Sequence, residues 1–288
     1  MVAMRPPPTT PWRRLACALL PLAACGFNGA GGNDDGGLDA PMPDAPGEVS
    51  TDATPAAPDA EPPPPLPTKV LVLGDHAPGS ATPDAATQVI TALTTAGLAV
   101  TDGGYYAAWV TGDPAPGDFD VVFLLQGENY DAALAEPTLA AHVQTFVSGG
   151  GTLVRTEWAG YMLADPANDP FASLGATLPV TYDDAYGDDS TWTVEPGQAG
   201  HPYLDGVILP LATASGYAEV SARVGAEVLA ELTTNDLVPS TVPALVVASV
   251  DLGHVVYLNH DLTYSAAAID PGVLQVLTNI ALAEPGTP

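Results

Sequence analysis

The sequence predicts a three-layer α/β domain wound around a mainly parallel β-sheet, with a β-hairpin and a helix near its C-terminal end. Three observations carry this. Lys69–Leu73 (KVLVL), Asp120–Leu125 (DVVFLL) and Thr152–Thr156 (TLVRT) are short apolar and β-branched runs, the pattern of strands buried on both faces. Between them lie segments with apolar residues at helical spacing. Strand and helix alternate at short intervals, as they do in parallel sheets covered on both sides.

The elements follow in chain order. Met1–Arg14 carries three arginines and no acid, and Leu15–Ala24 (LACALLPLAA) is a ten-residue apolar run. That run is too short to span a bilayer and suits the hydrophobic region of a signal peptide. It ends Leu22-Ala23-Ala24-Cys25-Gly26, which resembles the bacterial lipobox. The resemblance implies cleavage before Cys25 and lipid on its thiol and new amino group, so that residues 1–24 are a lipoprotein signal and the mature chain is exported and anchored in the cell envelope. Residues 26–67 hold ten prolines, seven glycines and eight acids with no lysine or arginine. This composition buries too little apolar surface to offset its ordering entropy, so residues 25–67 are expected to be a disordered tether.

The folded domain, residues 68–288, opens on the strand Lys69–Leu73. Thr82-Pro83-Asp84 supplies a cap, a proline at the first helical position and an acid in the first turn; Ala86, Val89, Ile90 and Leu93 form the apolar stripe and Gly97 ends the helix. Leu98–Thr101 and Asp120–Leu125 are the next strands. Glu136-Pro137 opens a helix with Leu139, Val143, Phe146 and Val147 inward and His142 at the flank of the stripe, closed by Ser148–Gly151 before Thr152–Thr156. The Gly149–Gly151 run precedes a strand, whereas phosphate loops follow one, so it reads as a helix-to-strand turn. Thr177–Thr181, Ser190–Val194 and Ala226–Leu232 are weaker strand candidates. Ala244–Val250 and His254–Asn259 flank Asp251-Leu252-Gly253 as a hairpin. Asp270-Pro271 caps a last helix with Val273, Val276, Leu277 and Ile280 inward. Thr181–Ser190 (TYDDAYGDDS) lacks the alternating ligand register of a calcium loop and reads as a solvated acidic loop.

Composition narrows the function. The chain has 34 acidic and 6 basic residues and a net charge of −28. Such a surface repels phosphate backbones, which excludes nucleic-acid binding. Cys17 falls in the signal and Cys25 at the lipid site, leaving the rest of the chain without a disulfide, a thiolate nucleophile or a cysteine zinc site.

Lys69–Gly74, Phe119–Leu125, Phe146–Arg155 (FVSGGGTLVR), Gly200-His201-Pro202 and Gly253–Asp261 (GHVVYLNHD) together resemble the class I glutamine amidotransferase-like fold, a flavodoxin-like arrangement, and nearest its trehalose-utilisation (ThuA-like) branch. The resemblance implies a reactive group directly after the strand Thr152–Thr156 and a histidine with a carboxylate after the last strand. Here Glu157 follows Thr156, so the nucleophilic cysteine is missing and amidotransferase activity is excluded, while His260 and Asp261 stand near the histidine and carboxylate.

In wound parallel sheets, ligands bind beyond the carboxyl ends of the strands. Asp75 and His76, Gln126, Glu128 and Asn129, Glu157 and Trp158, and Asn259, His260 and Asp261 occupy those positions, with His201 before a turn. One reading is carboxylate chemistry, with Glu157, Asp75, Glu128 and His260 acting on a glycosidic or ester bond. A second is a divalent metal on His76, Glu157, His260 and Asp261. The third is a pocket without catalysis, in which Trp158, Tyr161, Tyr105, Tyr106 and Trp109 stack on a sugar beside His201 and Asp261. The reading carried forward is a surface-anchored, non-catalytic ligand- or carbohydrate-binding domain with no cofactor and no resident metal; the alternative is an extracellular hydrolase using the rim carboxylates.

Anchoring is tested by detergent phase partitioning. The parent chain should enter the detergent phase and the Cys25→Ser variant the aqueous phase; equal aqueous partitioning of both would remove the lipid anchor.

Overall fold

The computed structural model describes residues 68–74, 85–127, 137–187, 189–213, 215–234, 240–262 and 268–283. The expected signal (residues 1–24), Cys25, the expected tether, the expected cap Thr82–Asp84, and Asp75, His76, Glu128 and Asn129 lie outside the described residues. The first half of the domain runs β1 (Lys69–Gly74), α1 (Ala85–Thr95), β2 (Ala99–Tyr105), β3 (Val121–Leu124), α2 (Pro137–Ser148), β4 (Thr152–Thr156) and α3 (Glu157–Tyr161). It continues through β5 (Val180–Gly187), β6 (Ser190–Val194), β7 (Leu211–Thr213), β8 (Tyr217–Ala222), β9 (Glu227–Thr234), β10 (Thr241–Val250), β11 (Gly253–Leu258) and α4 (Pro271–Leu282).

Nine strands form one sheet in the order β2-β1-β3-β4-β11-β10-β9-β6-β7. β2, β1, β3, β4 and β11 are parallel, and β10, β9, β6 and β7 extend the sheet antiparallel. The wound α/β architecture expected from the sequence is therefore present, with a parallel core and an antiparallel wing. The wing exists because the expected hairpin places β11 beside β4 and turns β10 back along it; the weak candidate at 226–232 then pairs onto β10, and the one at 190–194 onto that strand in turn. β5 and β8 form a separate two-stranded sheet.

Strand alternation divides the core. Val70, Val72, Val121, Phe123, Val154, Val256 and Leu258 face α1 and α4, while Leu71, Leu73, Val122, Leu124, Leu153 and Val255 face α2. Further along that second face, Val246 and Tyr257 pack against α3 and the β5–β8 sheet through Ala159, Val180, Ala218 and Val220. α4 begins as expected: the Asp270 side chain accepts the Gly272 N–H at 2.7 Å, with Pro271 in the first helical position.

Two expectations are corrected here. The acidic segment 181–187 is strand rather than solvated loop: β5 pairs Tyr182, Asp184 and Tyr186 with Val220, Glu219 and Ala218, and a bulge in each interval absorbs the extra residue. His142, whose place beside the apolar stripe predicts partial burial, is exposed on α2. β2 is also longer than expected, because an edge strand tolerates Asp102, and Gly103 lets it close on Leu71 and Leu73, where a Cβ would come within 2.8 Å of either side chain. Among the described residues, no helix is long and apolar enough to cross a membrane.

The glycine turn before β4 is packed against the start of β11. A Cβ on Gly253 would lie 2.2 Å from Val147 O and 2.3 Å from Gly151 O, so backbone would have to move. Gly253→Ala is expected to destabilise the domain by about 1–3 kcal/mol. Gly117→Ala, with nothing within 4 Å, should be near neutral. Urea unfolding of both variants measures the difference.

Candidate functional site

β4 is buried along its whole length, so the residue after Thr156 leaves the sheet at its carboxyl edge and begins α3. That residue is Glu157. It is 0% exposed, and among the described residues neither carboxyl oxygen meets a hydrogen-bond partner. Burial, with the charge of Asp261 adding to it, raises its pKa well above the ordinary 4.5. The carboxyl is therefore held protonated into a range where most glutamates are ionised. It neither caps α3 nor pairs with Arg155.

The chain after β11 explains which groups meet Glu157. Tyr257, Asn259 and Asp261 lie on the α3 side: the Tyr257 hydroxyl donates to Glu157 O at 3.3 Å, Asn259 binds the backbone of β8, and Asp261 acts on the Glu157 carboxyl. His260 lies on the other side, with its ring 6.1 Å from Trp192 and its Nδ1 3.1 Å from Ser215 Oγ. Period-two alternation thus continues past the strand and places His260 across the sheet from Glu157. The expected meeting of His260 with Glu157 on one rim is not observed. Among the described residues, no three His, Cys, Asp or Glu side chains converge on a position that could hold a metal ion.

Beside Glu157 stands a run of aromatic rings. Trp158 and Tyr161 on α3 are 5.4 Å apart at 76°, and Tyr161 meets Tyr182 at 5.9 Å and 86° and Tyr186 at 6.4 Å and 76°. Trp158, Tyr161 and Tyr182 are half-buried and Tyr186 is 37% exposed. Tyr186 closes over Gly216, where a Cβ would sit 2.3 Å from the phenol oxygen. Tyr182 and Tyr186 come from the segment read as an acidic loop. Their spacing of four residues, which keeps one face of a strand, was the available signal.

Under the same edge, Arg155 is 0% exposed. Its Nε donates to Gln126 Oε1 at 3.0 Å and its Nη2 reaches the same oxygen, while Gln126 Nε2 donates to Asp169 Oδ1 at 3.1 Å. Asp169 Oδ2 is 4.0 Å from Arg155 Nη2. Desolvation lowers the Arg155 pKa, with Asp169 and Tyr257 opposing. Gln126, expected at the open rim, is thus part of a buried bridge.

The other expected aromatics sit elsewhere. Tyr106 and Trp109 are core residues, 0% and 1% exposed, packed on Phe171 at 6.1 and 6.3 Å; their polar atoms donate to Gly127 O and Pro114 O. Their burial against Phe171 closes them to a stacking sugar. Tyr105 is half-buried at the end of β2, edge-on to Tyr106 at 5.2 Å. His201 caps the short turn 202–204, its Nδ1 accepting the Tyr203 N–H at 3.1 Å. It lies after β6, which ends at the amino edge of the parallel strands, so it is separated from Glu157 by the length of the sheet.

No protein-family model and no curated protein sequence matches the chain. Among solved structures, the chain is similar to a putative ThuA-like protein from Bacteroides uniformis, with 14% identity, TM-score 0.54, and 77% of this chain and 93% of that one covered. It is also similar to a cytoplasmic protein from Salmonella typhimurium LT2, with 17% identity, TM-score 0.53, and 74% and 98% covered. A third similarity is to the β-galactosidase from Rahnella sp. R3, with 16% identity and TM-score 0.52, covering 75% of this chain and 31% of the enzyme. These likenesses give the domain a ThuA-like, class I glutamine amidotransferase-like fold.

The raised pKa of Glu157 has a defined sign in stability. The folded chain keeps a proton that the unfolded chain releases above about pH 4.5, so the contribution of this group is full below that pH and is lost as pH rises toward the folded pKa. Glu157→Gln removes the loss. The stability of the variant relative to the parent should therefore grow as pH rises from about 5 until the folded pKa is passed, by up to about 1.4 kcal/mol per pH unit. A difference that stays flat across that interval in urea titrations would mean that Glu157 is ionised in the fold.

Proposed function

We propose that the domain is a non-catalytic carbohydrate-binding module, displayed on the cell envelope through lipid on Cys25. The observation that carries the reading is the run of rings from Trp158 through Tyr161 to Tyr182 and Tyr186 beside the protonated Glu157. Partly exposed aromatic faces pack on the apolar C–H faces of sugar rings. The acidic surface favours neutral over anionic glycans.

The second reading, a hydrolase using carboxylates, draws on the closeness of Glu157 and Asp261, whose charge acts on the glutamate. In that case Glu157 is the general acid and Asp261 the second carboxylate.

A glycan array followed by calorimetry on the best neutral oligosaccharide separates the two. Binding should quench tryptophan fluorescence, and Trp158→Ala should weaken it by about tenfold or more, equivalent to ~1.4 kcal/mol. Unchanged affinity in Trp158→Ala and Tyr186→Ala would refute the aromatic surface. Release of reducing ends that stops in Glu157→Gln would establish the hydrolase instead.

A further inference from the structure

On the sheet face opposite Glu157, the carboxyl edge carries a second group of buried polar residues. Ser215, in the connection from β7 to β8, and His260, just after β11, are each 6% exposed and line a cavity of about 470 Å³. Ala212, Leu262, Ile269 and Pro271 make much of its wall apolar. Ser215 Oγ stands 3.1 Å from His260 Nδ1, within reach for proton transfer. Trp192 meets the imidazole edge-on at 6.1 Å and 75° and limits its rotation. Burial lowers the His260 pKa to about 4, opposed by the Asp261 backbone, so the ring is neutral at neutral pH, and in the tautomer with its hydrogen on Nε2 it accepts at Nδ1. The hydroxyl also donates to Asp261 O at 2.7 Å. Gly216 O lies 3.4 Å away, so a single hydroxyl hydrogen has three acceptors, and without substrate the productive bond is often not the shortest.

We propose that Ser215 and His260 are the nucleophile and base of an acyl-transfer site for a small carboxylic ester whose acyl group fills the apolar cavity. Ser215 Oγ attacks the ester carbonyl carbon as its proton passes to His260 Nδ1. The bond from that carbon to the alcohol oxygen breaks, and the leaving alkoxide takes the proton from His260, giving an acyl-serine and the free alcohol. Water then attacks the acyl carbon and gives a proton to His260, which returns it to Ser215 Oγ as the carboxylic acid departs. Asp261 borders both this cavity and Glu157, but the site contains none of the rings of the Trp158 surface, so labelling of Ser215 is read independently of carbohydrate binding.

A base with so low a pKa makes turnover slow, and the informative readout is covalent capture of the serine. The full chain is treated with an alkyl fluorophosphonate and, separately, with p-nitrophenyl acetate, and adducts are mapped by tandem mass spectrometry. One adduct on Ser215 is expected, with a stoichiometric burst of p-nitrophenol. Both should vanish in Ser215→Ala and slow by about tenfold or more in His260→Gln. Because the second variant removes a buried ring, the parent supplies an independent check: its capture rate should be flat above about pH 5 and fall below it as His260 protonates. The proposal is overturned by the absence of an adduct on Ser215 in the folded parent, by equal labelling of the urea-unfolded chain, or by capture that keeps its rate through the protonation of His260.

Discussion

Asn259 sits one residue beyond β11, and its carboxamide does the work of a strand backbone. Its Oδ1 accepts the Ala218 N–H at 2.9 Å, and its Nδ2 donates to Ala218 O at 2.9 Å and to Pro243 O at 2.8 Å. An amide side chain is suited to this because it offers donors and an acceptor together; aspartate or leucine would leave buried backbone groups of β8 without partners. Through these bonds the two-stranded sheet is fastened to the nine-stranded one at a place where no strand ladder joins them. Gly216 is then fixed as well, its carbonyl accepting the Asp261 N–H at 2.9 Å, and Tyr186 lies over it. The aromatic surface on one face and the Ser215–His260 pair on the other share this one attachment.

The same region shows how the chain disposes of its few cations. After residue 14 the sequence has only Lys69, Arg155 and Arg223. Arg155 is sealed in the interior on Gln126, and Arg223 spends its guanidinium on the carbonyls of Val180, Ala176 and Gly175. Removing an arginine from water costs several kcal/mol, which the bridge through Gln126 to the Asp169 carboxylate offsets in part, since Nη1 is buried without a hydrogen-bond partner. With Arg155 buried and Arg223 half-buried on backbone carbonyls, Lys69 is the exposed cation among the described residues.

The parts of the fold legible in the sequence were those whose signal is local. β4 matches Thr152–Thr156 to the residue, and β1 and β3 agree closely, because burial on both faces leaves an unbroken apolar run. α4 was marked by the Asp270-Pro271 cap. β5 and β8 escaped because bulges break the alternation of Tyr182–Tyr186 and the outward face of that small sheet is polar. The site was half legible. That Glu157 ends a strand follows from five residues; that it is sealed from water depends on residues 180–222, far away in sequence, packing over α3. The separation of His260 from Asp261 was available in principle, since alternation carried through Tyr257, Asn259 and Asp261 already assigns them to one face. Trp109 and Tyr106 gave no such hint: their burial is decided by Phe171, some sixty residues later.

The direction of β1 has a mechanical consequence. The upstream chain enters at Lys69, at the amino edge of the parallel strands, while Glu157 and the rings occupy the carboxyl edge. A pull transmitted through residue 68 and resisted by something held at those rings would run along the strand axes. β1 lies between β2 and β3, so the load would fall in shear on two ladders of backbone hydrogen bonds at once instead of peeling them one at a time. A domain loaded in this way would resist force along the line joining residue 68 to those rings, and yield more readily to force applied across it.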